Sequence, residues 1–341
     1  MPKDLTVVPR QVSMRCLKGA KTMKKVLGIL LAALILSVYG VVQAADKVRI
    51  SVPTFNIMSL TAGVAQQRGF FKEQEREAEI IGMTPPVSLM ALANEDLGYT
   101  VVFGSVVRGT LRGLPLKVIA SFLDSPTVTL IAHAKYKSVK DLKGRTLGIS
   151  TFGATPHLLA RMIMKQFGID LDKEVKVLAL GSEAARIAAL KQGIVDAVAI
   201  SPPLDVEAGR LGFNTLARAS ELFSFPYAGL ATHVKKIKER PDEVKRVLKA
   251  LIKANRFIRE NREGAIEVLA KWGRTDIKRA TDTYDSSWSV FNLDGTIPED
   301  GLRLVIEEAR KDLGISREVS FSEIADSALL REAQRELGIR R

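Results

Sequence analysis

Cysteine is nearly missing from this chain. Of 341 residues only Cys16 carries a thiol, and it lies before the apolar run that starts at Val26. Beyond that run there can be no disulfide, no cysteine nucleophile and no thiolate metal site. Histidine is almost as scarce: His133, His157 and His233 are far apart and form no H-x-x-x-H pair. His157 is expected in the first turn of a helix, at the surface or the rim of a cleft. Aromatic residues make up 6% and are not interleaved with basic ones, which sets nucleic acid aside as a partner. The sequence also lacks G-x-S-x-G, G-x-x-x-x-G-K-[ST] and G-x-G-x-x-G, the loops of hydrolases, P-loop NTPases and dinucleotide-binding folds. No cofactor, metal or catalytic residue is expected.

Positive charge, by contrast, is plentiful, with a formal net charge of +13. Part of it is local: residues 1–45 carry seven Lys or Arg against Asp4 alone. In the remainder, 44 basic residues face 37 acidic ones, and they alternate along helical stretches such as "KKIKERPDEVKRVLK", as on a solvated face. The stretch "MKKVLGILLAALILSVYGVVQAADKV" has a basic start at Lys24 and Lys25, an apolar run, and small residues ending at Ala44 and Ala45. That is the layout of a cleaved secretory signal peptide over 23–45. A retained membrane anchor is the alternative, because about 17 apolar residues are borderline for spanning a bilayer. Residues 1–22 show no core pattern and are expected to be an upstream extension, with Met23 as the true start. Cys16 precedes the apolar run and is not at the cleavage site, so the chain is not expected to be a lipoprotein.

After Val48 short apolar runs alternate with helical patterns. Strands are expected at 48–53, 99–104, 116–122, 127–133, 145–150, 175–180 and 196–201, and helices at 59–69, 86–95, 105–112, 154–167, 182–192 and 203–211. Such alternation predicts an α/β fold with parallel, helix-covered sheets. The last third is helical, over 241–272, 299–312 and 322–337, with "TYDSSWSVFNLDGTIP" irregular between them. "NLDGTIPED" lacks the ladder of a calcium loop and is expected to turn at Asp294 and Gly295. Asp196 is expected to cap structure, and Trp272 and Trp288 to pack. No Gly/Ser linker separates the blocks, which fits two lobes joined by crossing strands.

The strand ends leave through small, polar loops: Thr54, Phe55 and Asn56; Gly104 and Ser105; Ser125 and Thr127; Thr151, Phe152, Gly153, Ala154 and Thr155; Ser201 and Pro202. In open α/β sheets ligands collect at the carboxyl ends of strands, where helix N-termini point unpaired N–H groups outward. These residues are the candidate ligand contacts. The plainer account of Thr155 followed by Pro156 is an ordinary helix start. Phe55, Phe103, Phe122 and Phe152 could stack on a planar ligand or simply fill the core.

In this order, "AQQRGFFKEQ" (65–74), "MALANEDLGYTVVFGS" (90–105), "VKDLKGRTLGISTFGATPHLLARMIMKQFGID" (139–170), "VKVLALGSEAARIAALKQGIVDAVAISPP" (175–203) and "ERPDEVKRVLKALIKA" (239–254) resemble the substrate-binding proteins of ABC importers of the nitrate, sulfonate and taurine class, related to thiamine-precursor binding proteins. The resemblance implies a two-lobed type II periplasmic-binding-protein fold, each lobe a mainly parallel sheet flanked by helices, with a helical C-terminal tail. It implies lobe one over 46–131 and 228–341 and lobe two over 132–227. It also implies a monomer in the periplasm that captures a small polar or anionic organic ligand and delivers it to an ABC permease. The cleft loops show no evident arginine clamp, since Arg108 sits a turn into its helix. Two alternatives stay open: an enzyme of the thiamine-precursor synthase type on this scaffold, and a ligand-sensing periplasmic protein.

Overall fold

The computed structural model describes residues 46–152 and 155–339; Cys16, Met23, the whole apolar segment, and the candidate contacts Gly153 and Ala154 lie outside the described residues. Among the described residues no helix is long and apolar enough to cross a membrane.

Among the described residues ten short strands form two five-stranded sheets. The first holds β1 (Asp46–Val52), β2 (Arg76–Gly82), β3 (Tyr99–Thr100), β4 (Leu116–Leu123) and β10 (Ala228–His233), in the order β2-β1-β3-β10-β4. The second holds β5 (Thr129–Ala132), β6 (Thr146–Ile149), β7 (Lys176–Ala179), β8 (Ala197–Ile200) and β9 (Asn214–Arg218), in the order β7-β6-β8-β5-β9. In each sheet one strand opposes its neighbours. β10 runs antiparallel to β3 and β4, and β5 runs antiparallel to β8 and β9, whereas β1 with β3 and β6 with β7 and β8 are parallel. Those reversed strands are where the chain changes sheets. It leaves the first sheet after β4, through 124–128, and returns through 223–227 into β10. The expected division between 131 and 132 falls inside β5, all four of whose residues pair with the second sheet, so the outward crossing comes earlier.

β2, β9 and β10 were not among the expected strands, and each hides for its own reason. β2 and β9 are sheet edges with charged, part-exposed residues, so their alternation is weak. β10, "AGLATH", is buried but built from small residues of low strand propensity. The expected strand at 99–104 ends at Thr100, and a helix begins at Phe103. The irregular stretch at 283–298 is partly helix: Ile277–Ser287 starts at Asp276, whose side chain accepts from the Arg279 amide at 2.8 Å.

The helical tail returns to the first sheet. Pro241–Glu260 and Arg262–Trp272 are two helices rather than one, because the Asn261 side chain accepts from the Gly264 amide at 2.9 Å and restarts the helix. Asn255, fully buried, fastens the tail: it donates to the carbonyls of Phe122 (2.8 Å) and Asn292 (2.6 Å) and accepts from the Thr61 hydroxyl (2.6 Å). A buried amide must be bonded in this way, since leaving it unpaired costs about 1–3 kcal/mol. Asn292 in turn accepts from the amides of Asp294 and Gly295, forming the expected turn there. Trp272 packs inside, as expected. Trp288 does not: it is a surface ring lying 4.6 Å beneath the Arg259 guanidinium. Asp196 ties two strand ends, accepting from the Tyr136 hydroxyl and the Thr146 amide.

Candidate functional site

A cavity of about 190 Å³ lies between the two sheets. Met58, Val101, Phe103 and Gly104 wall it from the first lobe, just beyond the carboxyl ends of β1 and β3. Thr155, Leu158 and Met162 wall it from the second, along one face of the helix Thr155–Gln166. Phe225 and Tyr227 in the returning crossing form its back, and Leu304 and Val305 of the helix Glu299–Leu313 its side. Polar side chains in the wall are few: Ser105, Arg108, Thr155, Tyr227 and Glu308. The site is therefore an apolar socket with sparse polar groups, the usual character of a small-molecule pocket.

Near Tyr227 lies a part-buried polar layer. Glu183 accepts from the Ser201 amide at 3.0 Å and pairs with Arg186 at 3.3 Å. Arg186 is 2% exposed and also donates to the Gly181 carbonyl. Burial pushes the Glu183 carboxyl above its ordinary value, with Arg186 and the Ser201 amide opposing the rise. Tyr227 is driven upward by burial and then by the Glu183 charge, while the Thr127 hydroxyl beside it works the other way. Its phenol stays neutral and can donate. Asp124, at the outward crossing, is likewise raised by burial, although Ser121 donates to it at 2.6 Å and Asn292 at 2.9 Å.

Among the described residues no group of three or more His, Cys, Asp or Glu is placed to hold a metal ion. A family model described as "NMT1/THI5 like" matches residues 56–265, more than half of the chain. The chain belongs to the NMT1/THI5-like family. A Brucella abortus relative named as a binding protein is 28% identical over 228 residues, which span 64% of this chain and 68% of the relative. The periplasmic aliphatic sulphonate binding protein SsuA from Escherichia coli superimposes with a TM-score of 0.70 at 19% identity, over 84% of this chain and 99% of that one. The desulfurization enzyme DszB does so with a TM-score of 0.62 at 14% identity, over 86% and 99%. The fold is thus the two-lobed periplasmic-binding-protein fold.

Within this NMT1/THI5-like chain the cavity gathers three of the candidate contacts: Gly104, Ser105 and Thr155. The first loop does something else. The Thr54 carbonyl accepts from Ser59, the Phe55 ring packs edge-on against Trp272 at 4.8 Å, and the Asn56 side chain caps the turn at Met58. These residues brace the loop, and their neighbours Pro53 and Met58 reach the cavity instead. Ser125 and Thr127 lie in the outward crossing, the Ser201 amide serves Glu183, and Pro202 is buried; none of them lines the cavity. Thr151 is exposed, and so is Phe152, whose ring meets His157 edge-on at 5.3 Å. Phe122 is core, while Phe103 is both core and cavity wall. The apolar lining from Leu158, Met162, Leu304 and Val305 was not anticipated, since Leu and Met at helical spacing read as ordinary core. The spacing of Leu158 and Met162, one turn apart above Thr155, was the available signal.

His157 is buried rather than at the surface, and burial lowers its pKa below the ordinary 6.5, with the Arg161 charge adding to the effect. The folded state prefers the neutral ring. Its contribution to stability is complete above the unfolded value and is lost as pH falls below it toward the folded value. The melting temperature followed from pH 7.5 down to 5 should therefore drop more steeply in the wild type than in His157→Asn. Equal slopes would assign the acid sensitivity to other groups.

Proposed function

We propose that this chain is an exported solute-binding protein, which closes two lobes on a small organic molecule and delivers it to the permease of an ABC importer. The observation that carries the reading is the cavity itself, because both lobes and the returning crossing contribute its walls. A ligand seated there touches both halves, so binding favours the closed arrangement over an open one in hinge fashion. Desolvation of an apolar body, more than a cage of hydroxyls, supplies most of the affinity; Ser105, Thr155 and Tyr227 orient it.

Family membership and a relative named as a binding protein support capture over catalysis. The fold alone does not choose, since DszB shares it and is an enzyme. The signal-peptide pattern at 23–45 supports a periplasmic location. The test is a thermal-shift screen of the purified protein against sulfonates, carboxylates, pyrimidines, sugars and amino acids. A true ligand at 100 times its dissociation constant stabilises the native state by about 2.7 kcal/mol, enough to move the midpoint visibly. Turnover of the shifting compound, followed by mass spectrometry, would replace the transport reading with an enzymatic one.

A further inference from the structure

The two lobes are joined by more than their strand crossings. The helix Leu204–Arg210 of the second lobe meets the helix Ile277–Ser287 of the first through two ion pairs. Arg210 reaches Asp282 at 2.5 Å, and Arg279 reaches Glu207 at 3.0 Å. The pairs are crossed: each helix supplies one guanidinium and one carboxylate, so the two faces are complementary. Hydrogen bonding from Arg210 holds the Asp282 carboxyl below its ordinary value. Oε1 of Glu207 is closed off from solvent, with the Arg279 guanidinium beside it. Leu211 and Ile277, adjoining the two helices' charged residues in sequence, stay 55% and 57% exposed and add no packed seam to this ionic join.

Each helix is fastened to its own lobe. Asp205, 1% exposed, accepts from the Thr129 hydroxyl of β5 at 3.0 Å and from Arg218 of β9 at 2.9 Å. On the other side the Tyr284 hydroxyl donates to the Ile258 carbonyl at 2.6 Å. Movement of one lobe against the other therefore acts directly on the two pairs. Arg161 of the second lobe also approaches Asp312 of the first, at a longer 4.0 Å. We propose that Arg210 with Asp282 and Arg279 with Glu207 form a latch that holds the lobes closed before any ligand arrives. A single exposed ion pair contributes little, but these two part in one motion, and together they favour the closed state by about tenfold. Entry to the cavity then waits for the pairs to separate, and escape waits for the same event. The inference concerns the lobes alone and stands whether the cleft hands on its solute or transforms it.

Small-angle scattering from the purified, unliganded protein tests the latch. In about 50 mM NaCl the wild type should scatter as the closed arrangement, and in about 1 M, where screening reaches within about 3 Å, its radius of gyration should rise. The expected rise is about 1 Å on roughly 20 Å. Arg210→Asp should produce the same rise at low salt, and adding Asp282→Arg, which restores the pair with its charges exchanged, should reverse it. A radius in Arg210→Asp equal to that of the wild type overturns the proposal, and so does an expanded Arg210→Asp protein that Asp282→Arg fails to close. If Arg210→Asp folds poorly, the wild-type titration decides alone, because a radius constant across the salt range overturns the latch.

Discussion

Gly229→Ala is expected to cost about 3–5 kcal/mol and to lower the melting temperature by about 10 °C. A Cβ at this position would stand 2.1 Å from the Ala120 carbonyl oxygen and 3.0 Å from the Phe103 ring. The first neighbour is backbone, held in the ladder between β10 and β4, and cannot swing aside as a side-chain end could. Pairing there is already irregular, with a register shift between Ala228 and Gly229. The strain reaches the ligand too, because Phe103 is a cavity wall. Urea unfolding of Gly229→Ala beside Gly104→Ala makes the comparison, since a Cβ at Gly104 meets nothing within 4 Å. A Gly229→Ala protein as stable as that control would mean the two strands do not approach so closely.

Gly104→Phe is expected to abolish ligand capture, by more than about a hundredfold, while leaving the fold intact. Gly104 lies in the first turn of the helix Phe103–Leu111, lines the cavity and has open space where a side chain would project. A benzyl group placed there occupies much of a volume near 190 Å³. Losing a pocket of this kind removes the apolar burial that drives binding, worth about 25 cal/mol per Å² of ligand surface. The unliganded melting temperature should stay within about 2 °C of the wild type or rise, since filling a void adds contacts. Binding of the solute identified by the thermal-shift screen, at wild-type affinity in this variant, would move the ligand site elsewhere.

Much of the fold was legible because several of its strands are buried apolar runs bounded by turns, as at 116–122 and 145–150, and helical patterns alternate with them. What escaped is local. β10 is written in small residues, and its place in the centre of a sheet depends on the partner strands β3 and β4, which pattern reading does not supply. The site was legible only in part. Rules about strand ends picked out five loops, of which those holding Gly104, Ser105 and Thr155 bring candidate residues to the cavity, and a loop's position does not say which of its side chains turn inward. Thr54 and Asn56 spend their hydrogen bonds on their own loop. Leu304 and Val305 come from a helix nearly two hundred residues beyond Ser105, and only the tertiary structure brings them to the cavity.

The insertion of the second lobe between β4 and β10 sets an order of assembly. β4 joins the first sheet only through β10, so until residues 228–233 are available that sheet ends at β3 and β4 has no partner in it. Every strand of the second sheet, by contrast, is present once Arg218 has arrived. A chain delivered from its N-terminus therefore holds a complete second lobe beside a half-built first one, with the buried strand β4 waiting for the last strand to be supplied.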